Sequence, residues 1–426
     1  MKPNILVLTL HNPLEFDFRG WLSEINVEYS LSLCVDAESV SEADLHEFAE
    51  RQKLSFSKRY DNYLNNGLIW SDLQALHLNE PFTAVIAFGE DDILRAAYLR
   101  TVWNLAGQTP ENGILFRDKV ACKKALRAVN LHSPAFCELG RPEDLLNFIA
   151  ENKLPVYVKP RSASGSVFGK KIQTALDLEQ FLATGFQPRI PFSEYVSDLC
   201  VEVFQEGEMY HIDGLCLNSE IPFVWPSKYI TPGLQIQAFG AESVVGSFML
   251  EQNNPLFLKI TNYVKEVCAA LKIPSGHTFH AEVFVDKLEN ISLCEIACRT
   301  GGGRINQALI AAGAPDLNAF QFLAQSAMGL ESELIRLVEN KVPTQLVGWM
   351  LIPPQPGICQ KLPDFSDVKC IVCYEISIKI GDAGWNRAYS GDSLGYVIVS
   401  GKTENELKNN MNTVLKLMSD DLKFST

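Results

Sequence analysis

His280-Ala-Glu282-Val-Phe-Val-Asp286-Lys-Leu-Glu289-Asn-Ile-Ser-Leu-Cys294-Glu295-Ile-Ala-Cys-Arg299 alternates like two short strands joined by a polar turn at 286–290. In the first arm Ala281, Val283 and Val285 share one face, and His280, Glu282 and Phe284 the other. In the second, Cys294, Ile296 and Cys298 form the apolar set, opposed by Glu295, Ala297 and Arg299. If the hairpin is symmetric about the Leu288–Glu289 bond, Glu282 lies directly across from Glu295. Side chains paired in this way have Cβ atoms about 4.5–5.5 Å apart, and like charges there repel. A divalent cation between them turns the repulsion into attraction. An all-oxygen pair suits Mg2+ or Mn2+, ions that also bind phosphates. The other reading is an exposed hairpin whose carboxylates face water. It fits Asp286 and Glu289 at the turn better than it fits Glu282 and Glu295.

Just beyond Arg299, Gly301-Gly302-Gly303 leads into a helical pattern from Arg304 to Ala312. Three glycines let backbone N–H groups converge at a helix start, where phosphate or carboxylate binds, and Arg299 and Arg304 add charge-assisted hydrogen bonds. A plain turn is the simpler alternative. His277 and His280 form an H-x-x-H, but three residues apart on a strand they point to opposite faces, which argues against a shared zinc ion. A structural or substrate-contacting role is expected for His280.

Towards the N-terminus, Asn4–Leu10 and Thr83–Phe88 are continuous apolar runs, as buried parallel strands are. The second passes through Gly89-Glu90-Asp91-Asp92 into a helix from Ile93 to Leu105. This alternation predicts an α/β domain, while the absence of Gly-x-Gly-x-x-Gly after the first strand sets aside an NAD enzyme. Asp118–Val129 reads as a basic helix, with three of Lys119, Lys123, Lys124 and Arg127 on a solvated face. Pro142–Asn152 is a short helix. Strands at Leu154–Pro160 and Lys170–Thr174 flank Arg161–Gly169, whose small residues and glycines make it a mobile hairpin tip with exposed N–H groups. Phe192–Val196 is a further short strand, and 254–272 an amphipathic helix.

Trp225–Pro232 reads as a loop whose Lys228 and aromatic residues suit a substrate carboxylate and side chain. A packed crossover loop explains it equally well. Trp349 and Trp385 are expected in packing. The segment from about 340 to 426 is strand-rich and ends in a helix. That helix opens with a capping box, Thr403-x-x-Glu406, and carries Leu407, Met411, Val414, Leu415 and Met418 on one stripe.

A chain of 426 residues, 47% hydrophobic, holds two or three domains with proper cores. Its net charge of −14 and lack of a basic face argue against nucleic acid, and its apolar runs fall far short of the roughly 18 residues a membrane span needs. The eleven cysteines sit mostly inside apolar patterns, as reduced buried thiols do, and Cys370-x-x-Cys373 has no second pair at zinc spacing. With no cleavable leader pattern, the expected location is the cytoplasm.

Six pieces in order resemble the ATP-grasp superfamily of carboxylate–amine ligases. They are Arg117-Asp-Lys119, Val156-Tyr-Val-Lys159-Pro160, loop 161–169, Ser193-Glu194-Tyr195-Val196, His280-x-Glu282 and Glu295-x-x-x-Arg299-x-Gly-Gly-Gly303. The likeness runs over about residues 80–330, and is strongest to bacterial L-amino-acid ligases (dipeptide synthases). It implies an α/β chain, α+β in its ATP-binding lobes, with a Rossmann-like pre-ATP-grasp domain over 1–110. A small lid lobe over 111–198, a large lobe over 199–338 and a strand-rich subdomain over 339–426 would follow.

The resemblance also implies roles. Lys119 and Lys159 would hold the ATP phosphates, under a lid carrying Ser164, Gly165 and Ser166. Glu194 would accept from the adenine amino group, with the backbone of Tyr195 and Val196 completing the edge, and Glu202 would take the ribose hydroxyls. Glu282 and Glu295 would bind two Mg2+ (or Mn2+) ions. Arg299 and Lys159 would stabilise the transferred phosphoryl group, while Gly302 and Gly303 offer N–H groups to the carboxylate or acyl phosphate. Lys228, His280 and Arg304 are candidates for substrate contact. Ala297 stands where many members carry an Asn ligand.

The implied reaction activates a carboxylate as an acyl phosphate and joins it to an amine, with amino acids or small peptides as substrates and ADP and phosphate as products. The partners implied are ATP and these small molecules, with neither nucleic acid nor membrane, and a homodimer left open. Two alternatives stand beside it: an ATP-binding module without catalysis, which Ala297 favours, and an ATP-grasp ligase using a thiol or bicarbonate, for which no biotin or lipoyl domain is visible.

Overall fold

A computed structural model describes residues 2–23, 27–165, 168–186, 198–230, 243–313, 318–329, 334, 342–387 and 390–425. Strands β1 (Asn4–Thr9), β2 (Ser30–Asp36), β3 (Phe56–Tyr60) and β4 (Ala84–Ala87) form a parallel sheet in the order β3-β2-β1-β4. The unbroken apolar run of β1 follows from burial on both faces. Ile5 and Val7 enter one core with Phe16, Phe18 and Phe88, while Leu6 and Leu8 enter another with Tyr63, Ile69 and Leu73. The helix after β4 spans Ile93–Val102, ending three residues before the expected Leu105, with Trp103 as its cap.

Strands β5 (Phe136–Leu139), β6 (Val156–Pro160), β7 (Lys170–Ile172) and β8 (Leu199–Val203) form an antiparallel sheet ordered β5-β8-β6-β7. Helices Pro142–Asn152 and Ala175–Thr184 cover it through Leu145, Phe148 and Phe181. β6 and β7 pair as Val156↔Ile172 and Val158↔Lys170, so the two strands form a hairpin. Val156 and Val158 face this core, which turns Lys159 to the opposite side.

The remaining strands are β9 (Glu208–Leu217), β10 (Glu220–Tyr229), β11 (Gly246–Met249), β12 (His277–Val285), β13 (Ile291–Ala297), β14 (Leu346–Ile352), β15 (Gly357–Lys361), β16 (Ile371–Ile376), β17 (Ala383–Gly384), β18 (Gly395–Gly401) and β19 (Lys423–Phe424). Eight of them make one antiparallel sheet, β13-β12-β9-β10-β11-β14-β18-β16, and β17-β15-β19 make a small one. Helices Pro255–Ala270 and Glu404–Asp421 bury apolar stripes against the large sheet, the second through Leu407, Met411, Val414 and Met418. Only half of the expected capping box forms. The Glu406 N–H donates to Thr403 Oγ1 (3.2 Å), but the Glu406 carboxylate accepts from the N–H of Lys402.

The expected loop at Trp225–Pro232 is strand as far as Tyr229. Pro226 is tolerated there because it sits where the pairing with β11 runs out, and its carbonyl accepts the Leu250 N–H (3.0 Å). Phe192–Val196 lies outside the described residues. No helix among the described residues is long and apolar enough to cross a membrane.

Candidate active site

Glu282 on β12 lies directly opposite Glu295 on β13, but not by the symmetric route. Next to the turn the pairs are Val285↔Ile291 and Val283↔Leu293, one residue short of the expected register. A bulge at Cys294 adds the missing residue, giving Glu282↔Glu295 and His280↔Ala297. The turn is tight because Asp286 Oδ1 accepts from the N–H groups of Leu288 and Asn290, both at 2.8 Å, and Glu289 adopts φ 62°. Cys294, at the bulge, stays packed against the core that Leu293, Ile296 and Cys298 enter, and its Sγ lies 3.9 Å from Lys159 Nζ.

Lys119 opens the helix Lys119–Ala128, capped by Asp118, whose Oδ1 accepts from the N–H groups of Val120 (2.8 Å) and Ala121 (3.1 Å). Arg161, at the root of the hairpin tip, donates to that same cap carboxylate (Nε to Oδ2, 3.0 Å) and pairs with Glu138. Lys119 Nζ donates to the Ala163 carbonyl (2.6 Å) and lies 2.8 Å from Glu295 Oε2. Burial alone would raise the Glu295 pKa. Lys119 first, then Lys159 and Arg299, overcome that and hold it at about 2, so the carboxylate is ionised.

Lys123, read as solvated, is only 1% exposed. Its Nζ lies 2.8 Å from Glu202 Oε1 and donates to the Cys294 carbonyl at 2.9 Å. A helical pattern cannot report that a hairpin from far along the chain packs on this face. Lys159 Nζ approaches the other oxygen of Glu202 at 3.1 Å. Glu202, expected at the ribose, here stands as counter-ion to two lysines. Burial acts to raise its pKa, and the lysines hold it below the usual carboxylate value. Ser166, Glu194, Tyr195 and Val196 lie outside the described residues.

Beside these groups lies a cavity of about 540 Å3. Glu282, Glu295, Arg299, Gly301, Gly302 and Gly303 line one side, Ser164 and Gly165 of the hairpin tip another, and Leu10, Phe16 and Glu90 of the N-terminal region a third. Gly303 has φ +64°, and a Cβ there would meet the Trp349 ring at 2.6 Å. Only glycine fits. Trp349, expected in packing, thus forms the floor beneath the triplet.

Arg299 donates to Glu90 Oε2 through Nη2 (2.8 Å) and Nε (3.2 Å), and Arg117 Nη1 donates to Glu90 Oε1 (2.5 Å). Sequence reasoning missed Glu90. The available signal was its position just past the carboxyl end of a parallel strand, where α/β sheets bind ligands. Arg304 faces the cavity, stacked 4.1 Å over Tyr396 and 3.7 Å from Glu15.

Lys228 does not reach the site. Strand alternation turns it away, 3.2 Å from Glu208, while its neighbour Tyr229 lines the cavity. Tyr229 Oη donates to Glu282 Oε1 at 2.7 Å. His280 Nε2 lies 3.6 Å from the same oxygen, and its Nδ1 bonds Asp213 (2.9 Å). Burial would lower the His280 pKa, yet Asp213 and then Glu282 raise it to about 9. His277 takes no part in this cluster, and its Nδ1–H donates to the Ser275 carbonyl (2.9 Å).

No protein-family model matches the chain. Over 230 residues it is 29% identical to an L-arginine-specific L-amino acid ligase of Bacillus subtilis. That match takes in 53% of this chain and 54% of the relative, so the chain spans about half the length of that protein. An L-amino acid ligase from Bacillus licheniformis superposes with a TM-score of 0.75 at 16% identity, covering 100% of this chain and 99% of that one. The biotin carboxylase domain of Hydrogenobacter thermophilus 2-oxoglutarate carboxylase superposes with a TM-score of 0.70 at 12% identity, covering 98% and 90%. That structure is a dimer holding MgADP, ADP and bicarbonate. The chain has the ATP-grasp fold.

Proposed function

We propose that this chain is an ATP-dependent carboxylate–amine ligase joining amino acids or small peptides. One observation carries the reading: two opposed glutamates and Arg299 line one cavity, with Lys119 held 2.8 Å from Glu295 at its edge. As they stand, the cations and carboxylates neutralise one another, Lys119 with Glu295, Lys159 with Glu202, and Arg299 with Glu90. A bound triphosphate would draw Lys119 and Lys159 onto its oxygens, freeing Glu295 to bind metal.

The donor set fits Mg2+ or Mn2+, because it is oxygen-only and one carboxylate is already held ionised. Bound between Glu282 and Glu295, such ions would neutralise charge on the phosphates as the phosphoryl group moves. Ala297 is buried opposite His280 and supplies no further oxygen. The substrate carboxylate attacks the γ-phosphorus and expels ADP. An amine then attacks the acyl carbon and releases phosphate. Arg299 faces the transferred group, the glycine triplet offers N–H groups to the acyl phosphate, and the hairpin tip at Ser164–Gly165 keeps water away from it.

The partners are then ATP, a small carboxylate and an amine. The dimeric biotin carboxylase neighbour supports a homodimer as the assembly to test by light scattering. A screen of amino-acid pairs for ADP release, with products identified by mass, tests the function. ADP with a new amide is the expected result, and no ADP with any pair overturns it.

A further inference from the structure

We propose that a buried relay, Ser247–His211–Asp213–His280, sets the orientation of the Glu282 carboxylate and seats the glycine triplet beside it. His211 Nε2 lies 2.6 Å from Ser247 Oγ, and His211 Nδ1 lies 2.6 Å from Asp213 Oδ2. Asp213 Oδ1 is 2.9 Å from His280 Nδ1, and His280 Nε2 faces Glu282 Oε1 at 3.6 Å. Tyr229 closes the far side of the chain of contacts through its 2.7 Å bond to that oxygen. All five supporting side chains are buried.

They come from adjacent strands of the large sheet, in register: His280 pairs with Asp213, Glu282 with His211, Ser227 with His211, and Tyr229 with Ser247. Asp213, an acceptor at both oxygens, takes the Nδ1–H of each histidine, and His211 Nε2 bonds the Ser247 hydroxyl.

Two features tie this cluster to the site rather than to the core at large. Burying an acid and two imidazoles is costly unless each is satisfied, and here the line of satisfied groups ends on Glu282. Metal ligands held by outer hydrogen bonds bind their ion in a fixed geometry, which Mg2+ demands. The second feature is independent. A Cβ on Gly301 would lie 2.5 Å from Asp213 Oδ1 and 2.9 Å from His280 Nδ1, so the triplet's backbone rests directly on the relay. One buried carboxylate therefore positions both a proposed metal ligand and the backbone proposed to meet the acyl phosphate. Asp213, His280 and Tyr229 act here as positioning residues.

The inference rests on Glu282 being a metal ligand, so the experiment separates the two claims. Mn2+ affinity is measured by electron paramagnetic resonance on the whole chain with a non-hydrolysable ATP analogue, for wild type, Glu282→Gln, Asp213→Asn and Tyr229→Phe. Thermal unfolding confirms that each variant is folded. Expected is a large loss for Glu282→Gln, about tenfold weaker binding for Asp213→Asn and about threefold for Tyr229→Phe. Wild-type Mn2+ affinity in Glu282→Gln sinks the metal assignment and the relay with it. Loss in Glu282→Gln alone, with Asp213→Asn and Tyr229→Phe at wild-type affinity, overturns the relay only. Should Asp213→Asn not fold, Tyr229→Phe decides. The ligand atoms of His211, Asp213 and His280 lie within 4.8 Å of one another, so stoichiometric zinc in the purified protein, removed by Asp213→Asn, also overturns the relay by making the cluster a metal site of its own.

Discussion

Glu295 keeps its charge in the interior because Lys119, Lys159 and Arg299 surround it. Changing it to Gln removes the charge of a proposed metal ligand while leaving the shape, and Lys119 retains its bond to the Ala163 carbonyl. Glu295→Gln should therefore lower ATP turnover by at least about a thousandfold, on the scale of a lost transition-state contact, with the circular dichroism spectrum unchanged. ADP release near the wild-type rate would remove Glu295 from the metal site. His277 is the opposite case, a titratable group whose burial, followed by nearby Arg100, pushes its pKa down to about 4. Between that value and the 6.5 of an unfolded histidine, the unfolded chain binds more protons. Stability therefore rises with pH through this window and is lost on acidification. His277→Gln should reduce the drop in unfolding free energy from pH 7 to pH 5 by about 2 kcal/mol, read from urea titrations at both values. An unchanged drop would assign the acid sensitivity elsewhere.

Hairpin β12–β13 illustrates what an element reveals and what it hides. Alternation with a period of two located both arms and put Glu282 opposite Glu295. The bulge at Cys294 was invisible, because nothing in the pattern marks where a strand gains one residue. The same limit applies to the helix Lys119–Ala128. Its sequence showed a basic face, but the burial of Lys123 depends on Cys294 and Glu202, which lie on other strands. The glycine triplet makes a sharper test. Gly303→Ala must hold φ +64° and displace the Trp349 ring from 2.6 Å, whereas nothing lies within 4 Å of a Cβ at Gly302. Gly303→Ala should cost about 1–3 kcal/mol in denaturant unfolding, and Gly302→Ala less than about 0.5. Equal costs would refute the packing argument.

Across the whole molecule, Glu90 links the N-terminal sheet to the site by taking both Arg117 and Arg299. Glu90→Gln leaves two nearly buried guanidinium groups without their carboxylate. It should destabilise the chain by about 3 kcal/mol and reduce the proposed ligase activity, checked by thermal unfolding beside ADP release. Wild-type stability would show that the two arginines find other partners. The sequence alone determined those features that depend on near neighbours in the chain. These were the β1 and β4 runs, the β6–β7 hairpin, the stripe of the last helix and the opposed glutamates. Each is written in a short period or a fixed spacing. Tertiary structure decided which charges meet. Glu90 with Arg299, Glu202 between Lys123 and Lys159, Asp213 with His280, and Trp349 beneath Gly303 all join residues brought together from separate elements. Such pairings depend on how sheets stack and where the chain leaves them, and local alternation of polar and apolar residues does not encode that.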